Sequence, residues 1–162
     1  AEVLRRLAAR PDVERVVINS HSQGTVVAFD VLRSYPAAPK SPVATLVTAG
    51  SPLRKYADMF SWGQDVGGIQ SMKWLNFWDA KDPVADPLDP PPSWRFGDPP
   101  VREPGELGLL WATDGEGKQI QIPIRDGEVD NLTHSYGSGL RAHNYWNNRA
   151  QFIPALVKVV DE

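Results

Sequence analysis

VVINSHSQGT, residues 16–25, is the stretch whose reading decides the fold. Val16, Val17 and Ile18 form a short β-branched run, the composition of a buried strand. Thr25 to Tyr35 (TVVAFDVLRSY) reads as a helix. Between them, Asn19 to Gly24 must turn the chain within a few residues. A strand–turn–helix of this kind can push one hydroxyl out above the sheet, and only in that setting does a G-x-S-x-G-like string carry chemical meaning. The residues two before and two after the hydroxyl are expected to crowd together and to be small. Here they are Ser20, where glycine is usual, and Gly24. The helix start behind Ser22 places partial positive charge where an oxyanion would form, and the Gln23 N–H is the expected donor. The competing reading is that Ser22 is an ordinary helix cap. His21 adjoins Ser22, but a base must approach the hydroxyl from across the site, so His21 is expected to pack or cap.

Outward from this stretch, strand and helix patterns alternate. Glu2 to Arg10 carries Val3, Leu4, Leu7 and Ala8 at helical spacing and stops at Pro11-Asp12. Ala44 to Ala49 (ATLVTA) reads as a second buried strand, closed by Gly50-Ser51-Pro52, and Leu53 to Trp62 as a helix. Lys73 to Trp78 (KWLNFW) reads as a third strand, stopped by DAKDP. The alternation predicts an α/β fold, a mainly parallel sheet flanked by helices. From Pro83 to Pro104 there are eight prolines, so this stretch is expected to be an irregular excursion. Leu109–Thr113 and Gln119–Ile124 flank Asp114-Gly115-Glu116-Gly117, the pattern of a β-hairpin. Glu128 to Asn131 is expected to be a last short strand. Phe152, Ile153, Leu156, Val157 and Val160 form an apolar stripe on a C-terminal helix that Pro154 starts or kinks.

Composition excludes several classes. The chain has 162 residues, one domain's length. Its net charge is -3, with no basic stripe of the kind nucleic-acid binding needs. It has no cysteine, which removes disulfides and thiolate metal sites and is compatible with the cytoplasm. No apolar run approaches the roughly 20 residues of a membrane span. The start, AEVLRRLAARPDVERVV, has neither a signal peptide's apolar centre nor a methionine, and reads as the middle of a longer protein.

A serine nucleophile needs a base and an acid, and on such a sheet the order is Ser, then Asp or Glu, then His. The acid should follow a strand's C-terminal end. Asp79 and Asp82 both do, just past KWLNFW. The base should lie on the loop before the last helix, where His143 stands; His134, in LTHSYGSG, reads as a surface residue. A carboxylate would hold the imidazole in the tautomer that takes the serine proton and returns it to the leaving group.

Four separated segments carry a resemblance: VVINSHSQGT, TLVTAGSPLRKY, NFWDAKDPVADPL and AHNYWNN. Across residues 14–150 the chain resembles the lipase and esterase branch of the α/β-hydrolase superfamily. The resemblance implies a serine hydrolase of carboxylic esters with Ser22, Asp82 and His143 as the triad, and no cofactor. It favours Asp82 over Asp79, because such lipases place the acid in the D-P-V turn. It also implies that residues 1–162 are the C-terminal part of one domain, lacking N-terminal strands and the loop that gives the second oxyanion donor. The substrate would be a small-molecule or lipid ester. The same triad could pass the acyl group to another acceptor, or the scaffold could serve as a non-catalytic binding module.

Other features read more plainly. Asp79, Asp82, Asp86 and Asp89 lack the spacing of a calcium loop, so no metal site is expected. Most tryptophans, Trp74, Trp78 and Trp146 among them, are expected in the core, while Trp62 and Trp94 are candidates for an acyl-lining or lid surface. The proline run is expected to cap the site or to be a loop.

Overall fold

The computed structural model describes residues 2–34, 43–60, 69, 72–88, 110–113, 116–137 and 140–162. Tyr35, Trp62, Asp89, Trp94, Leu109, Asp114, Gly115 and the proline stretch from residue 90 onward lie outside the described residues.

The chain runs α1 (Glu2–Ala8), β1 (Val16–His21), α2 (Gln23–Arg33), β2 (Val43–Ala49), α3 (Leu53–Phe60), β3 (Lys73–Trp78), β4 (Trp111–Thr113), β5 (Gln119–Gln121), β6 (Ile124–Glu128), α4 (Asn131–His134) and α5 (Phe152–Asp161). Two single-turn 3-10 helices, Arg141–His143 and Tyr145–Asn147, precede α5. Strands β1, β2, β3 and β6 form one sheet in that order, every pair parallel. This is an α/β arrangement.

Parallel strands need crossover connections, and helices cover both faces: the intervening α2 and α3 on one, and α5, after the last strand, on the other. On one face, Val26, Phe29 and Leu32 of α2 pack with Leu46, Trp74, Ile124 and Leu53. The buried positions of α2 recur at helical spacing, which is why TVVAFDVL folds as a helix against the sheet. On the other face, Phe152 and Val159 of α5 pack with Val47, Ala49, Phe77 and Tyr145. The small hairpin β4–β5 is antiparallel and seals the first core with Leu110, Ala112 and Ile122.

Several expectations change. The turn after β1 is shorter than the sequence suggests, because the strand continues through Asn19, Ser20 and His21. Val16, Val17 and Ile18 are half-buried, since β1 is an edge of the sheet. The last strand is Ile124–Glu128, not Glu128–Asn131; it pairs with β3, taking Ile124 from the hairpin, and Asn131 opens a helix capped by Asp130. On α5, Val157 and Val160 are exposed and Val159 is buried, so the inward stripe is Phe152, Leu156 and Val159 with Ile153 beside it. Pro154 lies in the first turn of α5, where a missing N–H costs nothing. Trp74 and Trp78 are buried, but Trp146 is exposed.

Register places the site. His21, Ala49, Phe77 and Gly127 stand side by side across the sheet. Just beyond, Ser22 N–H donates to Ala49 O, Gly50 N–H to Phe77 O and, two residues past Gly127, Val129 N–H to Trp78 O. The four strands therefore end at one level, and the residues just beyond share the C-terminal edge of the sheet. Among the described residues no helix is long and apolar enough to cross a membrane.

Candidate active site

Ser22 joins the last residue of β1 to the first of α2, at φ 54° and ψ -133°. It is the one non-glycine residue with positive φ among the described residues. Such a conformation costs about 1–3 kcal/mol and persists only where its surroundings impose it. Those surroundings are visible. Ser22 N–H is held by Ala49 O at 3.0 Å, and Ser22 O accepts from Thr25 N–H at 2.9 Å and from the Thr25 hydroxyl at 2.7 Å. The buried Ser51 Oγ meets Thr25 Oγ1 at 2.8 Å, so the Gly50-Ser51-Pro52 turn braces the bend. Ser22 holds the cap position of α2, yet its side chain makes no capping hydrogen bond. The ordinary-cap reading does not describe this residue.

Of the two flanking positions, Gly24 differs from expectation. A Cβ at Gly24 would meet no described atom within 4 Å, so crowding does not demand a small residue there. Ser20 fits because its hydroxyl donates to Val47 O at 3.2 Å. The glycine that the site requires is Gly50, at φ 61°: a Cβ there would lie 2.8 Å from His143 Cε1 and 2.9 Å from Tyr145 Cε2. Gln23 is the first residue of α2, where an N–H has no intrahelical acceptor. Its side-chain amide pairs with the Tyr56 hydroxyl, donating at 3.1 Å and accepting at 3.2 Å.

His143 and Asp82 come together across 61 positions of sequence, with Nδ1 2.7 Å from Asp82 Oδ2. The Asp82 side chain is fully buried and His143 largely so. Asp82 Oδ1 accepts from Val84 N–H at 2.9 Å, and Oδ2 also accepts from the Tyr145 hydroxyl at 3.1 Å. Burial pushes the Asp82 carboxyl up, but His143, the Val84 N–H and the Tyr145 hydroxyl together hold it below the usual aspartate range. Burial first, and then the Asp82 charge, push the Tyr145 phenol far up, so it stays a donor.

Asp79 does something else. Its Oδ1 caps the turn by accepting from Lys81 N–H at 2.7 Å, and its Oδ2 accepts from Asn131 N–H at 2.6 Å. The buried Asn131 in turn donates to Ala142 O at 2.7 Å and accepts from Asn148 at 2.9 Å. Asp79 thus ties the loop bearing Asp82 to the loop bearing His143. His134, at the end of α4, is half-buried and does not meet Asp82. His21 is half-buried against His143.

The sequence reading missed Tyr145, Asn131, Asn76 and Asp126. Asn76, fully buried in β3, accepts from Thr48 at 2.8 Å and donates to Asp126 at 2.7 Å and to Asp86 O at 3.1 Å. Asp126 also accepts from Leu88 N–H at 2.9 Å. A polar asparagine inside the otherwise apolar KWLNFW was the available signal, since a buried amide must find partners.

A cavity of 240 Å³ opens beside Asp82, lined by Lys55, Trp78, Lys81, Asp82, Pro83 and Asp86, with neither Ser22 nor His143 in its wall. Lys55 pairs with Asp86 there. No group of three His, Asp or Glu side chains suited to a metal ion occurs among the described residues. Comparison with known proteins adds no relative: no family model, no curated protein and no solved structure matches this chain.

Proposed function

We propose that this chain is a serine hydrolase of the α/β-hydrolase type, lipase- or esterase-like, that cleaves carboxylic esters through an acyl-enzyme. The observation that carries the reading is the buried Asp82–His143 pair, 2.7 Å apart, on the same sheet edge as a strained, non-capping Ser22. In this reading Ser22 Oγ attacks the ester carbonyl carbon while His143 Nε2 takes the hydroxyl proton. Asp82 accepts the hydrogen bond from Nδ1–H and stabilises the imidazolium. The Gln23 N–H and the start of α2 face the carbonyl oxygen as it becomes negative. His143 returns the proton to the departing alkoxide, leaving Ser22 acylated. Water, deprotonated by the same imidazole, attacks the acyl carbon, and the imidazolium returns that proton to Ser22 Oγ as the acid leaves.

No hydrogen bond joins Ser22 Oγ to His143 Nε2 among the described residues. Catalytic bonds of this kind commonly tighten only with substrate in place. The chemistry needs no metal or organic cofactor. The test is reaction with a fluorophosphonate probe followed by peptide mass spectrometry. A phosphonyl adduct on Ser22, formed in the native chain and not after denaturation, is expected. An adduct on another serine, or none, rejects the reading.

A further inference from the structure

His21 ends β1, one residue before Ser22 and opposite Ala49 in the sheet. Its Nε2 lies 3.0 Å from the main-chain oxygen of His143. A carbonyl oxygen only accepts, so Nε2 must carry the proton. The two imidazoles lie 4.7 Å apart at 36°, and the His21 ring is 5.7 Å from that of Tyr145. His143 is therefore held twice: Asp82 grips its ring at Nδ1, and His21 grips its main chain.

We infer that His21 is a positioning residue that fixes the proposed base His143 in register with Ser22. The inference rests on the hydrolase reading of those two residues. Ser22 is itself rigidly placed by its hydrogen bonds to Ala49 and Thr25. A bond from the adjacent residue to His143 transmits that placement to the base across a single peptide unit. Reacting groups must be held within about 0.5 Å of productive geometry by residues that packing and supporting hydrogen bonds lock in place. Burial lowers the His21 pKa, against the pull of the His143 carbonyl; the neighbouring imidazole lowers it further and the Asp82 charge raises it, leaving it below the ordinary imidazole value. A neutral ring beside the base avoids repulsion when His143 gains its proton.

The experiment compares His21→Phe, which keeps a ring and loses the donor, with His21→Gln, whose amide N–H restores a donor. Long-range proton–nitrogen spectra of the unmodified chain should show His21 protonated at Nε2. His143 ring signals should be single and sharp in the unmodified chain and in His21→Gln, and broadened or doubled in His21→Phe. Fluorophosphonate reaction at Ser22 should slow about a hundred-fold in His21→Phe, the scale of a 1 Å misplacement, and recover in His21→Gln. His21 protonated at Nδ1 overturns the inference. So does an unimpaired His21→Phe, or a His21→Gln as impaired as His21→Phe. Should the phenylalanine variant fail to fold, the tautomer and the glutamine variant still decide. If the unmodified Ser22 does not react at all, the hydrolase reading falls, while the spectra still decide whether His21 holds His143.

Discussion

Ser22 and the Asp82–His143 pair sit on one sheet edge but are secured by different means. The serine is set by its local run, β1 into α2, and by main-chain bonds from Ala49 and Thr25. The pair is set by side chains far apart in sequence. Asp79 reaches Asn131, Asn131 reaches Ala142 and Asn148, and Tyr145 reaches Asp82. Arg54, Lys55, Asn76 and Asp126 fasten residues 84–88 behind Asp82. The proposed nucleophile therefore sits at a positive φ held by neighbouring main chain, while the proposed acid and base depend on a chain of polar contacts. Damage to the first should act on chemistry, and damage to the second on both chemistry and stability.

The largest test separates reactivity from strain at Ser22. Ser22→Ala should lower ester turnover by roughly a million-fold, the scale of losing a triad nucleophile. It keeps the positive φ on a residue with a Cβ. Ser22→Gly should be equally inactive but more stable than Ser22→Ala by about 1–2 kcal/mol in urea unfolding, because glycine accepts that conformation. Equal stabilities would mean that the bend is not strained.

The next separates the two aspartates. Asp82→Asn should cost roughly ten-thousand-fold in kcat, because an amide cannot hold the needed tautomer. Asp79→Asn should cost far less in kcat and about 1–3 kcal/mol in stability, through the buried Asn131 N–H that loses its charged acceptor. A reversed ranking of the two turnover losses would break the assignment of Asp82 as acid.

Two glycines sharpen the contrast further. Gly50→Ala should reduce turnover about a hundred-fold by displacing His143, and should also destabilise the fold. Gly24→Ala, in open space within α2, should leave stability unchanged or raise it by up to about 1 kcal/mol. Equal unfolding midpoints for the two variants would contradict the close approach of Gly50 to His143.

The smallest effect concerns acid pH. Asp82 has a folded pKa held below its unfolded value of about 3.9, so the stability it contributes is fully present above that value. It is lost as pH falls through the folded value. Tyr145→Phe removes one of the groups that depress it. The Asp82 carboxyl should then titrate at higher pH by carbon NMR, and stability at neutral pH should fall by about 1 kcal/mol. An unmoved titration would show that the Tyr145 hydroxyl does not act on the acid.

Legibility followed the same division. The elbow, α2, β2, β3 and the hairpin could be read because their periods and turn residues are local. The β6 boundary is not legible in IRDGE, which carries neither an apolar run nor alternation; it is a strand because β3 pairs with it. On α5, Val157 and Val160 are as apolar as Val159, and only the position of the sheet decides which turns inward.

By itself, the sequence determined the alternation of strand and helix, the place of a sharp turn at Ser22, and three separated side chains of compatible chemistry. Those are consequences of side-chain period, backbone restriction and residue type, which act over a few residues. Tertiary structure alone showed that Asp79 binds Asn131 while Asp82, the aspartate the lipase resemblance favours, meets His143, that Gly50 rather than Gly24 must lack a side chain, and that Tyr145 and His21 bond to Asp82 and to the His143 main chain. Each depends on which strand ends fall level in a parallel sheet, and parallel pairing joins segments that no local pattern connects.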